Sequence, residues 1–433
     1  MNLRISDSRG QCYDGAATMQ GSKNGVATQF KAINKKMLYT HCYGHALNLA
    51  VKDCCSKVPS LNECFTIGRE ISKLVKDSPK RDTLLKLLRS QTGNKSTSVH
   101  AFCPTRWTIR GETLASFVNN HDELMMLWEE SLITLTNTEM KARVIGAQSC
   151  MEKFSFHFSC LLGEQVLRQT DNLSKSLQSP DISAVEGQEM AANVLDALKS
   201  KRSDDQFEEL WNQALASKPE DVGAPTLPRK SRITGATNQH FPETPKDKFR
   251  QIYLEVYDNV ISSINQRFEQ PDYKVYTNMQ NIIIKSFHGV DCGLEFDSIA
   301  EMYGDELDIY AMRTQSKLLP GLAASQGIDP SKIGFKESLN VMRNLSKPSR
   351  IIISEVYKLA KLIVVAPATN ATSERSFSSM KRIKTYLRAT MTDNRLNHIM
   401  VLHVHKDKKL DIDAAMAEFI SRNDRRKLIF MNI

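Results

Sequence analysis

The stretch APATNATSERSFSSMKRIK, Ala366 to Lys384, sets one acid, Glu374, in the first turn of a basic amphipathic helix that follows a proline-containing connection. Phe377, Met380, Ile383 and Leu387 recur at helical spacing and predict a buried stripe, with the Glu374 carboxylate flanking it. An acid at this position also simply complements the positive end of the helix dipole. The obvious chemical partner, Asp14 in RGQCYDGA, lies at the opposite end of the sequence. Acids this far apart form either a split active site or the remains of one.

Working outward, the chain of 433 residues is long enough for two to three domains around a large core. Its richest apolar run, near Ile351–Val365, is broken by Ser354, Glu355, Lys358 and Lys361, so no membrane span is expected. The N-terminus MNLRISDSRG has no apolar core of a secretory leader. Nine cysteines without a regular framework predict buried thiols in a reducing compartment, Cys54, Cys55, Cys64, Cys150, Cys160 and Cys292 among them. The net charge is +9, and from Glu374 onward 13 Lys/Arg face 7 Asp/Glu. Such a surplus suits a nucleic-acid-facing surface and equally a solvated basic helix face.

Near the start, residues 8–14 read as a strand ending in the turn Asp14-Gly15, followed by a helix over Gly21–Lys36. Met37–His41 is a second strand and Gly44–Ser56 a helix, an α/β order with the strands side by side. Beyond Pro59 the pattern is helical, with a break at Ser179–Pro180 and a linker over 218–247 carrying five prolines and two glycines. Three closing helices are expected at 374–388, about 394–405 and 411–422, the last capped by Asp411. The fold class is therefore α/β but predominantly helical.

Asp14, at a strand end beside Gly15 and Ala16, has the surroundings of a divalent-metal ligand, because small neighbours leave room for metal and phosphate. It equally fits a plain Asp-Gly turn. His41, Cys42 and His45 offer nitrogen and sulfur at close spacing, but no second pair completes a zinc set. They read better as a strand-to-helix junction. In CPTRW, Arg106 suits a phosphate contact and Trp107 a stacked base, or else a surface cation and a core indole. Cys103 has no histidine–acid partner nearby in sequence, so a cysteine nucleophile is unsupported. Arg375, Lys381 and Arg382 make the basic face of the C-terminal helix.

Taken together, RGQCYDGAATMQG, HCYGHALNLAV, PTRW and APATNATSERSFSSMKRIKTYLR resemble the hAT transposase superfamily, in its domesticated zinc-finger MYM-type and repressor-of-kinase-inhibitor-like branch. The resemblance runs from about residue 8 to 405. It implies a ribonuclease-H-like core, here partial, interrupted by a long all-α insertion. It also implies three carboxylates holding two divalent metals for phosphodiester attack. On that likeness Asp14 corresponds to the second carboxylate and Glu374 to the third. Cys42 and His45 correspond to the Cys-x-x-His motif, and Trp107 to an Arg-Trp motif that handles DNA at the cleavage site. The implied domains are 1–113 (partial core), 114–339 (helical insertion) and 340–433 (C-terminal dimerisation region closing the core).

The departure from the family is at the start. The first carboxylate and two further strands precede the second carboxylate in the family, whereas thirteen residues precede Asp14 here, and Asp7 leaves no chain for the intervening hairpin. No paired zinc-ligand spacing marks a DNA-recognition module. The expectation is therefore a transposase-derived, catalytically incomplete protein that forms homodimers, associates weakly with DNA and works in the nucleus. No cofactor is expected, with Mg²⁺ or Mn²⁺ entering only if the missing carboxylate is supplied. The alternatives are a DDE-type transposase lacking its zinc finger and first Asp in this sequence, and a helical scaffold without nucleic acid. PRKSR at 228–232 is too short to serve by itself as a localisation signal.

Overall fold

A computed structural model describes residues 4–100, 110–179, 182–227, 242–270, 272–385 and 390–430. Within these, helices dominate, and the chain divides into two units, residues 1–369 and 370–433. Arg106, Trp107, Leu387 and the 228–232 segment lie outside the described residues.

In the first unit, β1 (Gly10–Tyr13) pairs in parallel with β2 (Leu38–His41), Gly10 opposite Leu38 and Tyr13 opposite His41. The side-by-side strands expected from the sequence are present. The connecting segment is not one helix from Gly21 to Lys36. A turn of helix at Ala17–Gln20 is followed by the helix Val26–Ile33. Gly21 and Gly25 make the break, where a Cβ on Gly25 would lie 2.6 Å from the Gly21 carbonyl oxygen. Thr28 Oγ1 closes the turn by donating to the Gly21 carbonyl at 2.9 Å.

Two buried amides pin this β–α–β unit. Gln11 Nε2 donates to the carbonyls of Ala27 and Met37, at 3.1 and 3.2 Å. Asn34 Nδ2 donates to those of Ile5, Ser6 and Ser8. Buried backbone acceptors need such partners, because an unmet one costs about 1–3 kcal/mol.

After β2 the chain enters the helix Tyr43–Lys57, which packs against Pro245–Phe268. Tyr43 stacks on Phe268 with ring centroids 5.4 Å apart. The helix Ala184–Lys201 approaches the same ring through Gly187, where a Cβ would come within 2.5 Å of Tyr43 Cδ2. Further along, Phe154, Phe158, Trp211 and Phe249 form one aromatic cluster, with Phe158 and Phe249 at 4.9 Å. Polar signals set the helix starts. Ser183 with Glu186 and Thr244 with Asp247 form reciprocal capping boxes.

The thiols follow expectation: Cys54, Cys64, Cys160 and Cys292 are buried and Cys55 and Cys150 half-buried, all unbridged. No helix is long and apolar enough to cross a membrane among the described residues.

The second unit holds the helices Ala371–Ile383, Asp393–Val404, Ile412–Ser421 and Asp424–Phe430. Asp411 caps the third as expected, accepting from Ala414 N at 2.9 Å. One expectation is corrected here. Phe377 is not on a buried stripe but 65% exposed, Met380 is half-buried, and only Ile383 is buried. Helical spacing shows that apolar residues share a face; it does not show that this chain covers the face.

Candidate functional site at the strand ends

The parallel strands end together, so Asp14 and His41–Cys42 emerge on one side. Asp14 is half-buried, and its Oδ1 accepts from Ala16 N at 3.3 Å, the turn geometry that an Asp-Gly sequence favours. His41 is buried; its main-chain N donates to Gln270 Oε1 at 2.9 Å, while its ring Nε2 has no hydrogen-bond partner. That nitrogen looks toward Gly15, where a Cβ would stand 3.0 Å from it.

Electrostatics at this corner keep both imidazoles neutral. Burial, reinforced by His45 and Arg267, pushes His41 down to about 4. His45, 5.8 Å away ring to ring, is also lowered, mainly by burial and against the pull of Asp14. Neutral imidazoles retain a lone pair for a metal or a donated hydrogen bond. Cys42 links β2 to the helix Tyr43–Lys57 at its N-cap; its Sγ lies 3.7 Å from Thr369 Oγ1.

A cleft of about 780 Å³ opens beside these groups, lined by Gly15, Lys31, Tyr39, His41, Arg267 and Asp272 among others. Asp272 organises its wall by pairing with Lys31 at 2.7 Å and accepting from Tyr39 N at 2.9 Å. Gln270 and Asp272 went unnoticed in the sequence because nothing local distinguishes them. Their role comes from reaching β2 across more than 200 positions.

A divalent metal fits poorly with what is assembled. Among the described residues no three His, Cys, Asp or Glu side chains come together in a group able to hold an ion. Asp14 belongs to the first unit and Glu374 to the second. Glu374 is exposed in the first turn of its helix, and Arg375, Lys381 and Arg382 are exposed along the same helix. Lys381 and Arg382 sit in its last turn, where cations complement the helix dipole.

Exposed apolar side chains occur in both units. Ile351, Ile352, Val364 and Val365 are exposed in the first unit, and Phe377, Val401, Leu402 and Val404 in the second. Residues 336–407, which contain all eight, match the hAT family C-terminal dimerisation region.

The chain carries a hAT dimerisation region. A match of this description implies self-association. Beyond it, the chain is weakly homologous to the 52 kDa repressor of the inhibitor of the protein kinase from Mus musculus and to its Homo sapiens counterpart. Each is 21% identical over 439 residues, covering 96% of this chain. The chain spans 56% of the length of these curated relatives. The similarity to these relatives extends over most of the chain, well past the matched region.

Proposed function

We propose that this protein is a transposase-derived homodimer whose hAT region joins two copies, with nucleic acid as an associated ligand and no strand cleavage of its own. The observation that carries it is the run of exposed apolar side chains inside the matched region. Isolated exposed apolar residues are ordinary, but Phe377, Val401, Leu402 and Val404 fall within one short unit whose match is to a dimerisation region. Burying them against a second copy would contribute about 25 cal/mol per Å² removed from water.

A ribonuclease-H-like ancestry is supported by the parallel β1–β2 pair, by Asp14 directly after β1, and by the helices that follow β2. Nucleic-acid association is supported by the exposed Arg375, Lys381 and Arg382 and by the net charge of +9. The nuclear location goes with that association.

Two differently tagged copies expressed together test the dimer. Each tag is expected to recover the other, and recovery of one tag alone would remove the proposal.

A further inference from the structure

We infer that a groove between the helices Tyr43–Lys57 and Pro59–Lys76 holds a stretch of nucleic-acid phosphodiester backbone, at a site separate from the C-terminal helix. The groove encloses about 890 Å³. Lys52 lines one wall, and Arg69, Lys73 and Lys76 line the other, with Asp77 the one acid among its lining residues.

Periodicity builds both walls. Arg69, Lys73 and Lys76 stand at i, i+4 and i+7, one face of a helix, and His45, Asn48 and Lys52 stand at i, i+3 and i+7 on the facing one. From Arg69 to Lys76 the helix rises about 10 Å, about three base-pair steps along a duplex axis at about 3.4 Å each.

Within the groove Lys76 pairs with Asp82 at 2.6 Å. Among the described residues no ion pair engages Lys52 or Lys73, and both are exposed. The floor carries a second signal. Ser72 is 2% exposed, yet its Oγ has no hydrogen-bond partner. A buried hydroxyl left unpaired is unfavourable, and a phosphate oxygen seated in the groove would accept from it. Leu49 and Phe65 supply apolar surface for sugar or base. An acidic peptide would also satisfy the cations, and competition by polyglutamate distinguishes it from nucleic acid.

The test is fluorescence anisotropy of the full chain with a labelled 20-base single strand and a 20-base-pair duplex, across a series of salt concentrations. The chain without substitution is compared with Lys52→Ala/Arg69→Ala/Lys73→Ala, with Lys73→Glu alone, and with Arg375→Ala/Lys381→Ala/Arg382→Ala. The groove triple is expected to lose on the order of tenfold or more in affinity and to lower the salt slope by about two to three. Lys73→Glu is expected to weaken binding in the same direction, and circular dichroism should be unchanged because all three side chains are exposed. The stronger of the two nucleic acids shows whether a single strand or a duplex is the source of the backbone. No binding by the unsubstituted chain would overturn the groove. So would equal affinity and slope in the groove triple, or equal competition by polyglutamate. Loss confined to the C-terminal triple would also overturn it, while leaving the dimer untouched.

Discussion

Cys42 Sγ stands 3.7 Å from Thr369 Oγ1, although 327 positions separate them in sequence. Next to this contact the main-chain N of Tyr43 donates to the Ala368 carbonyl at 3.3 Å. The connection APAT, just ahead of the Glu374 helix, is thereby fastened to the carboxyl end of β2 and the start of the helix that follows. Two motifs remote in sequence meet at the corner where Asp14 and His41 emerge.

Pro367 forms part of this seam by packing on Gly10 of β1, leaving no room for a Cβ. Gly10→Ala must push strand and proline apart, and overpacking of this kind costs about 1–3 kcal/mol. Gly146→Ala is the control, since nothing lies within 4 Å of a Cβ there, in the interior of the helix Thr138–Met151. It is expected to stabilise by about 0.5–1 kcal/mol. Urea unfolding of the two variants measures both effects; the same change in each would refute the seam.

Phe158 is fully buried against Phe249, Phe154 and Trp211, while Phe377 is 65% exposed. Phe158→Ala is expected to cost about 3–5 kcal/mol, whereas Phe377→Ala should stay within about 0.5 kcal/mol for the dissociated chain. Denaturation at low protein concentration checks the contrast. Comparable losses would mean that Phe377 belongs to a core of the single chain.

His157 titrates at about 4 because burial and neighbouring His121 disfavour its charged form, against an accepting contact from the Ala214 backbone. Its ordinary value is 6.5, so between these pH values the unfolded chain binds the extra proton. The stability from keeping it neutral is complete above pH 6.5 and is lost as pH falls toward 4; His41 adds in the same direction. In thermal melts, any deficit of His157→Gln at pH 7 should therefore narrow as pH falls to 5. A deficit constant across that range would contradict the assignment.

Much of this architecture could be read from residue order. The β–α–β start, the helical pattern beyond Pro59 and the Asp411 cap all follow from local signals: strand-like segments, helical spacing, a capping acid. The split of the predicted Gly21–Lys36 helix was not legible, since it depends on Gly25 folding back over Gly21. Gln270 and Asp272 escaped notice because a side chain that caps a distant strand leaves no periodic trace. Phe377 shows the same limit from the other side. Its spacing placed it on an apolar face, but a face completed by another copy looks identical in sequence to one covered by its own chain.

The central claim is that the hAT region joins two copies of this chain, and light scattering of the full chain after size exclusion at micromolar concentration tests it most directly. The expected mass is that of two chains, falling toward one in Phe377→Asp/Leu402→Asp with helical content retained. A mass of one chain at every concentration, with or without those substitutions, would contradict it.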